Sequence, residues 1–241
     1  MKIGIIGGSG YNDFPAMEKS KPKKIKTPYG SVKVKVGKYK GKTIYFLPRH
    51  GFDYSTPPHR INNRANIEAL RKEGADYILS TAACGAINTK MKPGDLVIIT
   101  DFIDFTMNRI ETFNLYREPV FTDVSAPYDK NLRGKLLKVA KALKQKVHPK
   151  ATYICTEGPR FESPAEIKAF GKLGADIVGM TNVPECVLAN EAKIPYAALA
   201  IVTNYAAGIS KGKLSSKEVF EMVKTKSQVI TKIFEKVIES L

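Results

Sequence analysis

The sequence predicts an α/β protein: a β-sheet packed between helices, with ligand loops at the carboxyl ends of its strands. Three observations carry that prediction. Short apolar runs end in turns of glycine and small residues at 2–10, 77–86 and 194–206. Between them lie stretches whose apolar residues recur at helical spacing, at 132, 136, 137, 139, 140 and 143, and again at Val219, Val223, Ile230, Ile233, Phe234, Val237 and Leu241. With 241 residues and 43% hydrophobic content, the chain can bury a full core, and residues 1–241 are expected to form one domain.

The first strand, from Lys2, enters the turn Gly7-Gly8-Ser9-Gly10, where bare backbone N–H groups can approach an anion. A dinucleotide fingerprint needs glycine three residues past Gly10, and Asp13 stands there, so the turn reads as a small anion loop with Ser9 as hydroxyl donor. Alternating Val32, Val34 and Val36, a glycine-containing turn at 37–41 and the run 43–47 read as a hairpin ending in Pro48-Arg49-His50-Gly51. An arginine at a strand end beside histidine and glycine suits a bidentate phosphate clamp, and a surface ion pair is the alternative. His59 is expected to cap or orient a helix over 60–73. The strand from Tyr77 runs into a small-residue turn, Thr81-Ala82-Ala83-Cys84-Gly85, that lets backbone come close to a ligand. A strand is expected at 96–100, a loop excursion rich in aromatics over 105–128, a strand at 153–155, a helix opened by Ser163-Pro164, and a second short strand at 177–180.

The formal net charge is +16, from 39 Lys+Arg against 23 Asp+Glu, which first suggests nucleic acid or an acidic membrane. The lysines are scattered over hairpin and helix faces, as at Lys21, Lys23, Lys24, Lys26, Lys135, Lys138 and Lys141, with no nucleic-acid motif. Solubility and attraction of an anionic substrate account for them. Three cysteines without C-x-x-C spacing and three histidines form no metal-ligand pattern. Cys84 lacks the supporting groups of a nucleophile. With no signal region and no apolar run long enough to span a bilayer, a cytoplasmic protein is expected.

The most informative stretch is Thr156-Glu157-Gly158-Pro159-Arg160-Phe161-Glu162-Ser163-Pro164-Ala165-Glu166, followed by Gly174-Ala175-Asp176-Ile177-Val178-Gly179-Met180-Thr181-Asn182-Val183-Pro184-Glu185. Two strand ends there present Phe161, Glu162, Met180 and Thr181 to one another. An aromatic face stacks on a base, a carboxylate accepts from ring N–H groups, and a thioether lies under a sugar without polar demands. The plainer reading makes Phe161 and Met180 core, Glu162 a helix-start charge and Thr181 a cap.

The whole string resembles the nucleoside phosphorylases that handle purine nucleosides and 5'-methylthioadenosine, of the trimeric type and nearest the 6-oxopurine branch. The resemblance implies a mixed, distorted-barrel sheet flanked by helices. It also implies reversible phosphorolysis of a small-molecule purine nucleoside, with inorganic phosphate as co-substrate and no metal, cofactor, nucleic acid or membrane. By resemblance, Ser9, Arg49, His50, the Ala82 backbone and Thr181 hold phosphate. Ala83, Cys84, Phe161, Glu162, Met180, Asn204 and Ala206 surround base and ribose, with Asn204, Glu162 and His50 serving the chemistry. Leu214, Ser216 and Phe220 lie at the 5' pocket, and Phe121 reaches a neighbouring subunit's site in a homotrimer or a hexamer built as a dimer of trimers. Many relatives carry a further histidine where this chain has Tyr54. Relatives acting on 5'-methylthioadenosine carry Asp-x-Asp at Asn204-Tyr205-Ala206 and serine at Glu162. Donor and acceptor counting therefore favours inosine and guanosine: Glu162 accepts from N1–H and the Asn204 amide donates to the N7/O6 edge. 5'-Methylthioinosine or methylthioadenosine phosphorolysis is the alternative. A basic nucleic-acid-binding protein and a nicotinamide oxidoreductase are remote ones.

Overall fold

The computed structural model describes residues 1–114, 118–212 and 214–241. Its strands are β1 (Lys2–Gly7), β2 (Glu18–Thr27), β3 (Gly30–Tyr39), β4 (Lys42–Pro48), β5 (Tyr77–Ala86), β6 (Leu96–Ile98), β7 (Asp101–Phe105), β8 (Val147–His148), β9 (Thr152–Thr156), β10 (Ile177–Gly179) and β11 (Tyr196–Tyr205). Its helices are α1 (Asn63–Lys72), α2 (Lys130–Ala142), α3 (Pro164–Lys172), α4 (Asn182–Glu191) and α5 (Ser216–Glu239).

The strands form one mixed sheet in the order β2-β3-β4-β1-β5-β10-β9-β7, with β11 joined to β5 and β6, and β8 to β6. Strand β5 is its axis. It runs parallel to β1 through Tyr77–Ser80 and parallel to β11 over its whole length. Antiparallel β10 meets it only at Gly85 and Ala86. Between Ser80 and Gly85, therefore, the edge that β1 has left and β10 has not reached is open, and ligand loops gather there.

Helix starts follow local chemistry. The Asn62, Asp129 and Ser215 side chains cap α1, α2 and α5, and Ser163 with Glu166 forms a capping box ahead of Pro164. Helices α1 and α4 pack together, as do α2 and α5, with two large apolar clusters around the sheet. The hairpin turns at Lys40 and Gly41, both with positive φ, of 47° and 77°.

Four expectations change. The helix expected over 60–73 begins at Asn63, after a short 3-10 turn at Pro58–Arg60 that contains His59, and Asn62 rather than His59 is its cap. Gly37 lies within β3 instead of in the turn. The stretch 81–85 stays in strand β5, because β11 pairs with it throughout. Helix α4 was not anticipated; its apolar residues occur all round instead of along one stripe, since it is buried almost entirely. The described part of the 105–128 excursion forms no helix or strand beyond Phe105, and residues 115–117 lie outside the described residues.

Candidate active site

A cavity of about 520 Å³ opens where β5 lacks a neighbour. Its walls bring together Ser9, Arg49, His50, Ala83, Cys84, Phe161, Glu162, Met180, Thr181, Asn204, Ala206, Leu214, Ser216 and Phe220, residues drawn from nearly the whole length of the chain. Two expected residues are absent from these walls. Phe121 is 93% exposed. Ala82 is buried in register with Ala200, facing β11. Strand alternation explains the latter. The Thr81 carbonyl accepts from Arg49 on the open edge, and the Cys84 carbonyl accepts from Thr203 on the β11 side. Main-chain groups facing the cavity therefore belong to Ala83, one residue on from the expected Ala82.

One corner is built from buried polar groups. Arg49 does not present the free bidentate fork expected of it. Its Nε donates to Glu185 Oε2 at 2.6 Å and its Nη2 to Glu185 Oε1 at 2.8 Å, with both side chains fully buried. Nη2 also donates to Ser80 Oγ at 2.7 Å and Nη1 to Thr81 O at 3.1 Å. Of five guanidinium hydrogens, four are used, and one on Nη1 remains for a ligand. Burial opposes the arginine's charge, and Glu185 outweighs that opposition, holding its pKa above the usual value. Glu185 Oε1 is further satisfied by Ser80 Oγ at 2.8 Å and Tyr196 Oη at 2.7 Å. Gly8 has no room for a side chain: a Cβ there would stand 2.9 Å from both Arg49 Nη1 and Thr81 O.

His50 Nδ1 lies 2.8 Å from the Thr56 carbonyl, which can only accept, so Nδ1 carries the proton. Nε2 is buried without a protein partner. Burial pushes the ring's pKa down to about 4, aided by the charge of Arg49. A neutral His50 thus offers the cavity an acceptor at Nε2. Thr181 caps α4 without using its side chain as a cap, and its N–H donates to Tyr153 Oη at 3.1 Å. Ser9 Oγ stands 2.6 Å from Tyr54 Oη.

The opposite end presents Phe161, Glu162, Met180 and Asn204. Glu162 is only 8% exposed, which removes the reading of it as a solvated helix-start charge. Thr156 Oγ1 donates to its Oε1 at 2.6 Å, and burial raises its pKa despite that bond. Asn204 has its Oδ1 pinned 2.8 Å from Thr203 Oγ1, and Nδ2 donates one hydrogen to Tyr205 O at 2.8 Å, leaving its second N–H. Gly158, with φ of +66°, lets Met180 approach: a Cβ there would fall 2.6 Å from Met180 Sδ. Burial pushes the Cys84 thiol well up, and its Sγ donates to Ile201 O at 3.2 Å, in keeping with an inert residue.

Sequence reasoning missed Arg109. From the loop excursion it donates to Met180 O at 2.7 Å, Glu157 O at 2.8 Å, Val183 O at 2.9 Å and Thr156 O at 3.3 Å, tying the ends of β9 and β10 together. It also missed Glu185 as the partner of Arg49. Among the described residues no helix is long and apolar enough to cross a membrane.

The family model described as the Phosphorylase superfamily matches residues 2–239. The 6-oxopurine nucleoside phosphorylase of Pyrococcus furiosus is 48% identical over 239 residues, 96% of this chain and 90% of that protein. A probable S-methyl-5'-thioinosine phosphorylase of Methanopyrus kandleri is 45% identical, over 99% of this chain and 92% of that protein. Among solved structures, methylthioadenosine phosphorylase from Schistosoma mansoni in complex with adenine superposes with a TM-score of 0.95 at 29% identity, covering 100% of this chain and 91% of that one. With its sheet and its sequence in agreement from end to end, the chain belongs to the phosphorylase superfamily.

Proposed function

We propose that the protein carries out reversible phosphorolysis of 6-oxopurine nucleosides, converting inosine or guanosine and phosphate to free base and ribose 1-phosphate. The observation that carries the base preference is the pairing of Glu162 with Asn204 on one cavity: a buried carboxylate to accept from N1–H, and an amide N–H to donate to the N7/O6 edge. Adenine would set its N1 lone pair against that carboxylate. Relatives named for 6-oxopurine nucleosides support the same reading.

In this proposal phosphate occupies the corner of Ser9, Arg49, His50, Thr181 and the Ala83 amide, and one of its oxygens attacks C1' as the bond to the purine nitrogen breaks. Positive charge develops on the ribose, facing the phosphate. The purine leaves with the bonding electron pair and is met by the Asn204 N–H. Phosphate is itself the nucleophile, so the scheme calls on no paired glycosidase carboxylates, metal or organic cofactor. His50, as an acceptor, takes a hydrogen from a phosphate or sugar hydroxyl. Leu214, Val219 and Phe220 give the cavity an apolar wall that suits a 5'-methylthio group, whereas Ser216 suits a 5'-hydroxyl. Methylthioinosine is therefore the second reading.

The protein is proposed to act in the cytoplasm as a homotrimer or hexamer. The fully presented Phe121 ring, beside exposed Val120, supports its covering a neighbour's ribose. The test is an assay of inosine, guanosine, adenosine and their 5'-methylthio analogues with and without phosphate. Phosphate-dependent release of hypoxanthine and guanine, with ribose 1-phosphate as co-product, is expected. Faster turnover of the adenosine series, or hydrolysis without phosphate, would overturn the proposal.

A further inference from the structure

Tyr54 occupies a junction that the reaction scheme above leaves unused. Its backbone adopts a left-handed φ of 56°, which a bulky residue takes only when its surroundings hold it there. The holding contacts are aromatic: its ring lies 4.7 Å from His50 at a tilt of 41°, and 4.8 Å from Phe220, edge to face at 77°. So clamped, the phenol oxygen sits 2.6 Å from Ser9 Oγ, at the cavity wall.

Each hydroxyl in this pair has one hydrogen to give and lone pairs to receive. Either oxygen can donate at this distance, and because a phenol is a far stronger acid than an aliphatic alcohol, Tyr54 is the better donor of the two. Burial keeps that phenol protonated through neutral pH. If Tyr54 gives its only proton to Ser9, the Ser9 proton cannot lie on the same line and must be turned elsewhere.

We propose that Tyr54 is a positioning residue for phosphate: its phenol donates to Ser9 Oγ, leaving the Ser9 hydrogen aimed at the phosphate corner as a prepared donor. The inference rests on the reading that phosphate binds beside Ser9. No bond is made or broken in the relay; its whole effect is to fix one hydroxyl rotor before the anion arrives, so that no ordering is required on binding.

The experiment is a double-mutant cycle of Tyr54→Phe and Ser9→Ala, with KM for phosphate and for inosine measured separately. Phe keeps the ring contacts with His50 and Phe220, and an unchanged unfolding midpoint checks that it does. Each single variant is expected to raise the phosphate KM about three- to tenfold, the range of one ordinary hydrogen bond, with inosine KM held within about twofold. In the Ser9→Ala background, Tyr54→Phe is expected to add nothing, because the relay has lost its second member. Multiplied effects in the double variant, an equal shift of inosine KM, or no effect of Tyr54→Phe while Ser9→Ala raises the phosphate KM would each overturn the relay alone. An unchanged phosphate KM in Ser9→Ala would overturn the placement of phosphate beside Ser9, and the relay with it.

Discussion

The two ends of the cavity are built on opposite principles. In the anion corner polar groups are tied to the protein: Arg49 to Glu185, Ser80 and Thr81, His50 to Thr56, and Ser9 to Tyr54. At the base end Glu162 and Asn204 each keep bonding capacity for a ligand, and Phe161 is 38% exposed. The corner is part of the core and offers its ligand a few prealigned hydrogens. The end proposed to take the base keeps its open bonding capacity on a wall supported by the core. Breaking the fully buried Arg49–Glu185 pair should thus be felt first as stability, and changes at the base end as substrate choice.

The largest expected effect breaks the corner. Arg49→Ala strands the Glu185 carboxylate in a fully buried site, and the loss should be about 3–5 kcal/mol in urea unfolding. The paired variant Arg49→Met with Glu185→Leu should recover most of that stability while phosphorolysis stays low. Recovery of activity along with stability would show that Arg49 contributes nothing to phosphate. Next in size is Glu162→Gln, which should lower the inosine-to-adenosine ratio of kcat/KM by about 10–100-fold at little cost in stability, as the mismatch of one buried hydrogen-bonding group implies. An unaltered ratio would return Glu162 to a structural role. Asn204→Asp with Ala206→Asp should move preference toward 6-aminopurines by about tenfold, read as competing substrates in one vessel.

A pH profile sharpens the same contrast. Burial raises the Glu162 pKa, so its acceptor form is lost as pH falls through a value above the ordinary carboxylate range. His50, pushed down to about 4, stays neutral well below neutral pH. The acid limb of kcat/KM for inosine should accordingly lie above the ordinary carboxylate value and disappear in Glu162→Gln. The smallest effect is a control outside both regions. Burial, with Asp104 beside it, raises Glu111 from 4.5 to about 7. A carboxyl raised in the folded state adds stability that is full below its unfolded value and lost as pH rises through the folded one. Stability should therefore decline between about pH 4.5 and 7, and Glu111→Gln should flatten that slope without changing base preference.

Legibility in the sequence followed the same division. The base end could be read because Phe161, Glu162, Met180 and Thr181 sit on two contiguous strand-loop segments with cap and turn signals of their own. The terminal helix was legible from its period and most strands from apolar runs or alternation, whereas β2, β7 and the two-residue β8 were not read, since β2 is exposed along nearly its whole length and β7 buries no residue fully. Glu185 was visible as a residue but not as the partner of Arg49, 136 positions away, because no local pattern encodes a long-range ion pair. Arg109 lies in an aperiodic loop whose order comes from the carbonyls it gathers. The Ala82 backbone was assigned to phosphate by resemblance, and the strand continuing through 81–85 turns it toward β11, since a one-residue shift reverses which edge the main chain faces.

The register of β11 slips once, between Val202 opposite Cys84 and Asn204 opposite Gly85, leaving Thr203 as an extra residue. Upstream of that bulge every residue from Tyr196 to Val202 is locked in the core. Downstream, Asn204 and Ala206 line the cavity. The bulge thereby separates Asn204 and Ala206, at the cavity wall, from the stretch of pairing upstream of it. Purine preference can then be varied at this strand end while the pairing upstream stays in place. Diversification of substrate across such a fold needs no change of architecture, only drift in the residues beyond one irregular step.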